Sequence, residues 1–154
     1  MDKIKKILAP TDLSELSAAG VRYALELGHA VGAAVTLYHA IGTEELMGHE
    51  NLRPMPPVLE TYDSALTRFL EHHCLDLLPL VEVHTKVEIG VADINIVDEA
   101  KKEATDLIVI STHGRTGLSH VLVGSVTERV VRHAPCPVLS IRPDSHKATA
   151  KAAA

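Results

Sequence analysis

Asp106-Leu-Ile-Val-Ile-Ser-Thr-His-Gly-Arg-Thr-Gly-Leu-Ser-His-Val-Leu-Val-Gly-Ser-Val-Thr-Glu-Arg-Val130, followed by Pro135-Cys-Pro-Val-Leu-Ser-Ile-Arg142, holds four parts in a fixed order. Leu107 to Ile110 is a run of four apolar residues, as expected of a strand covered on both faces. A glycine-bearing loop follows, then a helix opening on Gly124-Ser125, then a last short strand. Strand, glycine loop and helix start is how α/β proteins build anion sites. The first turn of a helix offers unpaired backbone N–H groups and a partial positive charge, and flanking glycines let a phosphate approach the backbone. A phosphate-bearing ligand is therefore the first hypothesis.

Outward from this segment, strands and helices alternate. Ile4 to Ala9 is a short apolar run ended by Pro10-Thr11-Asp12. Ser14 to Val31 carries Leu16, Gly20, Tyr23, Leu27 and Ala30 at helical spacing, opened by a Ser or Asp cap. Ala34 to Ile41 reads as a second strand, and Gly42 to Pro57, with three prolines, reads as an irregular surface excursion. From Val58 onward, Leu59, Tyr62, Leu66, Phe69, Leu70, His73 and Leu77 share one helical face, and Pro79 is expected to end the helix. Val81 to Ile89 alternates apolar and charged residues, the pattern of an edge strand with one wet face. Gly90 breaks it, and a short helix runs to about Glu103.

Such alternation implies right-handed crossovers and an α/β fold with an open parallel sheet of five strands, covered by helices on both faces. Ligands bind such sheets beyond the carboxyl ends of the strands, where strand order reverses. If the first and fourth strands meet there, Pro10-Thr11-Asp12 and Ser111-Thr112-His113-Gly114 edge one crevice.

The chain of 154 residues, 46% hydrophobic, has the size of one domain. Residues 1–142 are expected to form it, with 143–154 a disordered tail. A net charge of -5 argues against a nucleic-acid surface, which needs clustered Lys and Arg. Cys74 and Cys136 stand far apart without C-x-x-C spacing, so no disulfide framework or zinc site is suggested, and reduced thiols in the cytoplasm fit best. No apolar run approaches the roughly 18 residues of a membrane span, and neither a signal peptide nor a membrane partner is expected.

The spacing within the opening segment resembles that of a known family. Ser111, two residues, Gly114, nine residues, then Gly124-Ser125 is similar to the Gly-x2-Gly-x9-Gly-Ser/Thr signature of the universal stress protein family. Pro10-Thr11-Asp12-x-Ser14 and the terminal Ala-Pro-Cys-Pro-Val-Leu resemble other parts of its pattern, so the likeness runs from about Lys3 to Arg142. It implies a Rossmann-like sheet of order 3-2-1-4-5 and, in one branch of the family, bound ATP or AMP, with Mg2+ held through the phosphates.

Carried over by position, the resemblance places Pro10, Thr11 and Asp12 on the ribose and base side and gives Ala40 backbone to the adenine. Ser111, Gly114 and Arg115 would border the phosphates, with His113 between them. Gly124, Ser125, Val126 and Thr127 would close over the phosphate groups from the helix start. The departure is Ser111, where the signature has glycine. Were positive φ or very close ligand approach needed there, a Cβ and hydroxyl would obstruct it; otherwise serine adds only a small polar group.

Plainer readings stand beside these. Ser125-Val126-Thr127-Glu128 is a complete capping box that would start its helix without any ligand. The stretch from Thr112 to Val123 is nonetheless longer than the usual 2–6 residue connection, and Leu118, Val121 and Leu122 within it have helical spacing. Asp12 could simply cap the first helix. His72-His73-Cys74 tempts a metal assignment, but adjacent helical residues point in different directions and cannot close a tetrahedral site alone. No metal residue is therefore assigned.

The phosphate-loop, dinucleotide and nucleophile-elbow motifs are all missing from the sequence. Asp12 and Arg115 could meet a metal or neutralise charge, yet no residue is an evident general base for hydrolysis. The reading is an adenine-nucleotide-binding stress regulator with no catalytic residue and hydrolysis absent or very slow. A nucleotide-free protective module and a weak ATPase are the alternatives. Pro137 to Ile141 reads as an apolar, unguarded sheet edge, which a homodimer pairing two copies of that strand would cover. An unidentified protein partner completes the expectation.

Overall fold

The computed structural model describes residues 2–47, 56–113 and 123–143. Five strands, β1 (Lys6–Pro10), β2 (Ala34–Ile41), β3 (Val83–Ile89), β4 (Leu107–Ser111) and β5 (Val138–Ile141), form one sheet. Its order is β3-β2-β1-β4-β5 and every pairing is parallel. Between them run α1 (Ala18–Val31), α2 (Thr43–Met47), α3 (Pro56–Cys74), α4 (Ala92–Lys102) and α5 (Ser125–His133). The open α/β sheet of order 3-2-1-4-5 expected from the sequence is thus the fold. No helix among the described residues is long and apolar enough to cross a membrane.

Two apolar layers explain why these segments fold this way. In a strand successive side chains point to opposite faces, and β1 alternates accordingly. Ile7 and Ala9 join Val35, Leu37 and Val109 against Val21 and Leu25 of α1 and Leu66 and Phe69 of α3. Leu8 joins Tyr38, Ile108 and Ile110 against Ile96 and Ala100 of α4 and Val130 of α5. All five residues of β4 are buried, as its unbroken apolar run requires, whereas β3 at the sheet edge has buried none of its seven. Lys86 on β3 reaches beneath the sheet to the buried Glu99 of α4, with both carboxylate oxygens at 2.7–2.8 Å. That contact satisfies a carboxylate whose burial alone would be costly.

Several boundaries differ from the sequence expectation, each for a local reason. The excursion after Gly42 contains the short helix α2, whose first turn holds Glu44 and Glu45, the charge a helix N-terminus favours. The helix α3 ends at Cys74, and Pro79 lies instead in a 3-10 turn, Leu78–Leu80. The first helix begins at Ala18 rather than Ser14, because residues 11–17 are tied in a hydroxyl network. In that network Asp12 accepts hydrogen bonds from the Ser14 backbone N–H at 3.0 Å and the Ser14 hydroxyl, and Ser17 donates to the Ser14 carbonyl at 2.8 Å. Asp12 therefore closes a turn ahead of the helix and does not cap it.

The capping box at Ser125 does not form. Gly124 is the N-cap of α5, no side chain caps it, and Glu128 pairs instead with Arg132 at 2.9 Å. The expected turn around Leu118 to Leu122 and the tail beyond Pro143 lie outside the described residues.

Candidate functional site

The crevice is built where the sheet reverses direction. With β1 bonded to β2 on one side and β4 on the other, the helices after β1 and β4 leave on opposite faces, and the carboxyl ends of the two strands part. A cavity of about 290 Å3 lies there, near the lower end of the roughly 300–1,000 Å3 range of small-molecule sites. Ten of the twelve residues singled out in the sequence line it. Gly114 and Arg115 lie outside the described residues.

The α5 wall is fixed by two bonds to the end of β4. Gly124 N–H donates to the Thr112 carbonyl at 2.6 Å, and the buried Thr127 hydroxyl donates to the Ser111 carbonyl at 2.8 Å. A Cβ on Gly124 would stand 2.9 Å from the Thr112 oxygen, so glycine is needed for this close approach of chain to chain. The first N–H to bond within α5 is that of Glu128, to Gly124. The N–H groups of Ser125, Val126 and Thr127 precede it, at the positive end of the helix.

Ser111 answers the backbone half of the question its sequence raised. It has no positive φ. Its hydroxyl turns under α1, where it accepts a hydrogen bond from Gly20 N–H at 2.9 Å and donates to the Ser17 carbonyl at 3.3 Å. Gly20 stands at the third position of α1, among the N–H groups that no helical carbonyl reaches. Ser111 caps that helix from the strand beneath it. A Cβ on Gly20 would come within 2.7 Å of both Ser111 N and Oγ, so the two residues are complementary in shape as well.

The β1 and β2 side is equally tied. Thr11 shares a 2.7 Å hydrogen bond with Ser17 and accepts one from Leu13 N–H, which helps hold Leu13 in the left-handed region at φ 65°. Thr11 N–H donates to the Tyr38 carbonyl, and His39 Nδ1 lies 2.8 Å from the Thr11 oxygen. A carbonyl only accepts, so Nδ1 carries the hydrogen of that bond. His39 Nε2 faces Glu45 Oε2 at 3.0 Å, and its ring stacks on Tyr62 of α3 at 5.3 Å. The buried imidazole thus fastens α2 and α3 beside the cavity.

Opposite lie Ala92 and Ile96 of α4, with Tyr38 beside them. Burial raises the Tyr38 phenol above its ordinary range, and its 2.8 Å bond to Glu88 raises it further. For Glu88, burial works upward, but hydrogen bonds from Tyr38 and Lys86 outweigh it and hold the carboxyl below its usual range. Tyr38, His39, Glu45, Ala92 and Ile96 were not among the sequence candidates. The apolar periodicity of β2 and α4 marks several of them as core and cannot show that the core opens at one end.

His113 lines the cavity, with Nδ1 2.9 Å from the Thr112 hydroxyl. Cys136 stands away from it, and burial pushes its thiol up, the opposite of a reactive cysteine.

Comparison with known proteins bears on the family and the fold. The family model described as the universal stress protein family matches residues 3–142. The universal stress protein MJ0531 of Methanocaldococcus jannaschii is 32% identical over 143 residues, covering 90% of this chain and 82% of the relative. The solved structure of MJ0577, from the same organism, superposes with a TM-score of 0.72 at 28% identity, over 92% of this chain and 97% of that one. A universal stress protein solved in complex with cAMP shares the fold, with a TM-score of 0.68 at 18% identity over 91% and 98% of the two chains.

Proposed function

The chain belongs to the universal stress protein family, and on that premise we propose that it is a regulatory protein that holds ATP or AMP in the β1/β4 crevice. The observation that carries this reading is the α5 helix start, pinned by Gly124 and Thr127 against the end of β4, with its leading N–H groups beside the cavity. The residues present suit an adenine nucleotide. Ala40, Gly42, Gly90 and Ala92 keep the wall low for a flat base, and the Ser111 hydroxyl is spent on α1 rather than left to obstruct phosphate. A fold relative holds a cyclic adenine monophosphate.

In this reading Ala40 offers backbone to the adenine, Pro10, Thr11 and Asp12 border the ribose, and Ser125 to Thr127 with Ser111 border the phosphates. Gly114 and Arg115 complete the phosphate side. Mg2+ would enter on the phosphates. In this reading hydrolysis is absent or very slow. The protein acts in the cytoplasm as a homodimer through β5, passing its nucleotide state to a protein partner.

The test separates ligand loss from unfolding. Ser125 is exposed in the first turn of α5, where an aspartate stabilises a helix by about 0.3–1 kcal/mol while repelling phosphate. The wild type should release adenine nucleotide on denaturation, and millimolar ATP or AMP should raise its Tm by a few degrees. Ser125→Asp should fold at least as stably and lose both signals. A wild type that carries no nucleotide and shows no shift with either would sink the reading in favour of a nucleotide-free module.

A further inference from the structure

We propose that Glu15, His72 and His73 form a binding site for a divalent transition-metal cation of the zinc, nickel or copper class, on the surface where the β1–α1 loop meets the end of α3. The sequence offered only the adjacent triplet His72-His73-Cys74. The fold adds Glu15, from a loop 57 positions earlier, and places one ligand atom of each residue within 4.8 Å of the other two. His73 Nε2 lies 3.7 Å from Glu15 Oε1, and the imidazole rings of His72 and His73 meet edge to face at 4.6 Å. Bonds of about 2.0–2.2 Å to nitrogen and oxygen require the ligand atoms to draw closer together than this. The Glu15 side chain is 82% exposed and can supply the closing movement.

The rest of the neighbourhood favours the same reading. His73 packs against the Phe69 ring at 4.5 Å. Its carbonyl accepts a hydrogen bond from Arg22 at 3.2 Å, and Arg22 also grips both oxygens of Asp76 at 2.7–2.9 Å, so the end of α3 is held in place. Two imidazoles and one carboxylate suit zinc, nickel or copper better than magnesium or calcium, which prefer all-oxygen sites. Cys74 takes no part. It is fully buried, with its thiol pushed up to about 11. A bound cation would tie α3 to the loop that also carries Asp12.

Calorimetric titration of the full chain, without a histidine tag, with zinc chloride and nickel chloride near neutral pH tests this. The expected result is one cation per chain, with affinity lowered about tenfold or more by Glu15→Gln, His72→Gln or His73→Gln. His84→Gln, on β3, should leave binding unchanged. Copper(II) added to the protein should show two coupled nitrogens by electron paramagnetic resonance, reduced to one in His72→Gln. Glu15 and His72 are exposed, so their variants should melt as the wild type does in chelator. Failure of the wild type to bind, or equal binding by the Glu15→Gln/His73→Gln double variant, would overturn the site.

Discussion

At the scale of single residues, the decisive pair is Ser111 and Gly20, 91 positions apart in sequence. The sequence shows a serine where the family signature has glycine, and from that alone its effect on the phosphate side is undetermined. The missing information is the direction of one Cβ, which depends on an absent side chain at Gly20. Restoring glycine with Ser111→Gly should therefore weaken the protein rather than improve its site, because the buried Gly20 N–H loses its acceptor, at a cost of about 1–3 kcal/mol. Gly20→Ala should cost a comparable amount for the opposite reason, an extra methyl driven against the Ser111 backbone and hydroxyl. Urea unfolding of both variants checks the magnitudes. A Ser111→Gly protein as stable as the wild type would show that the hydroxyl contributes no net stability there.

At the scale of elements, α4 ends in a way its sequence does not advertise. Thr105 N–H donates to the Ala100 carbonyl at 3.0 Å and Ala104 N–H to the Lys101 carbonyl at 3.3 Å, the paired bonds of a Schellman ending. That ending needs a left-handed residue, usually glycine, and Ala104 fills it at φ 50°. Ala104 is exposed, so Ala104→Gly removes strain without emptying any packing. It should raise stability by about 0.5–1 kcal/mol, seen as a Tm gain of roughly 1–4 °C in a chain of this size. No gain on calorimetric melting would mean that the unfolded-state entropy of glycine cancels the relief. Strands were the most legible elements, because apolar runs such as Leu107 to Ile110 have few alternatives. Helix starts were the least legible. Ser14, Asp12 and Ser125 all carry capping chemistry, yet the first two are engaged in the network around Thr11 and Ser17, and α5 is held by Thr127 instead.

At the scale of the whole molecule, the crevice follows from strand order; alternation implied only the parallel sheet, while the order 3-2-1-4-5, and with it most of the ten candidate residues that line the cavity, came from the family resemblance. What alternation could not show is how the sheet edge is used. The apolar residues of β5 are largely engaged within their own chain. Leu139 packs on the α1 layer, Val138 on the α4 and α5 layer, and Ile141 is buried. A second copy would therefore be held chiefly by backbone. The carbonyl of Pro137 accepts from Ile108 of β4 and that of Ile141 from Thr112 just past it, so by alternation Leu139 also faces β4, while the N–H and C=O groups of Val138 and Ser140 point away from it. Ser140 is exposed and its N–H belongs to the open edge. Ser140→Pro should remove one outward donor and place a ring at the edge without breaking the β4 pairing. Under the proposed homodimer, sedimentation equilibrium should show the wild type as a dimer and Ser140→Pro as a monomer with an unchanged thermal shift by nucleotide. If Ser140→Pro remains a dimer, the copies meet elsewhere; if it loses the nucleotide shift together with the dimer, the crevice depends on the partner copy for its shape.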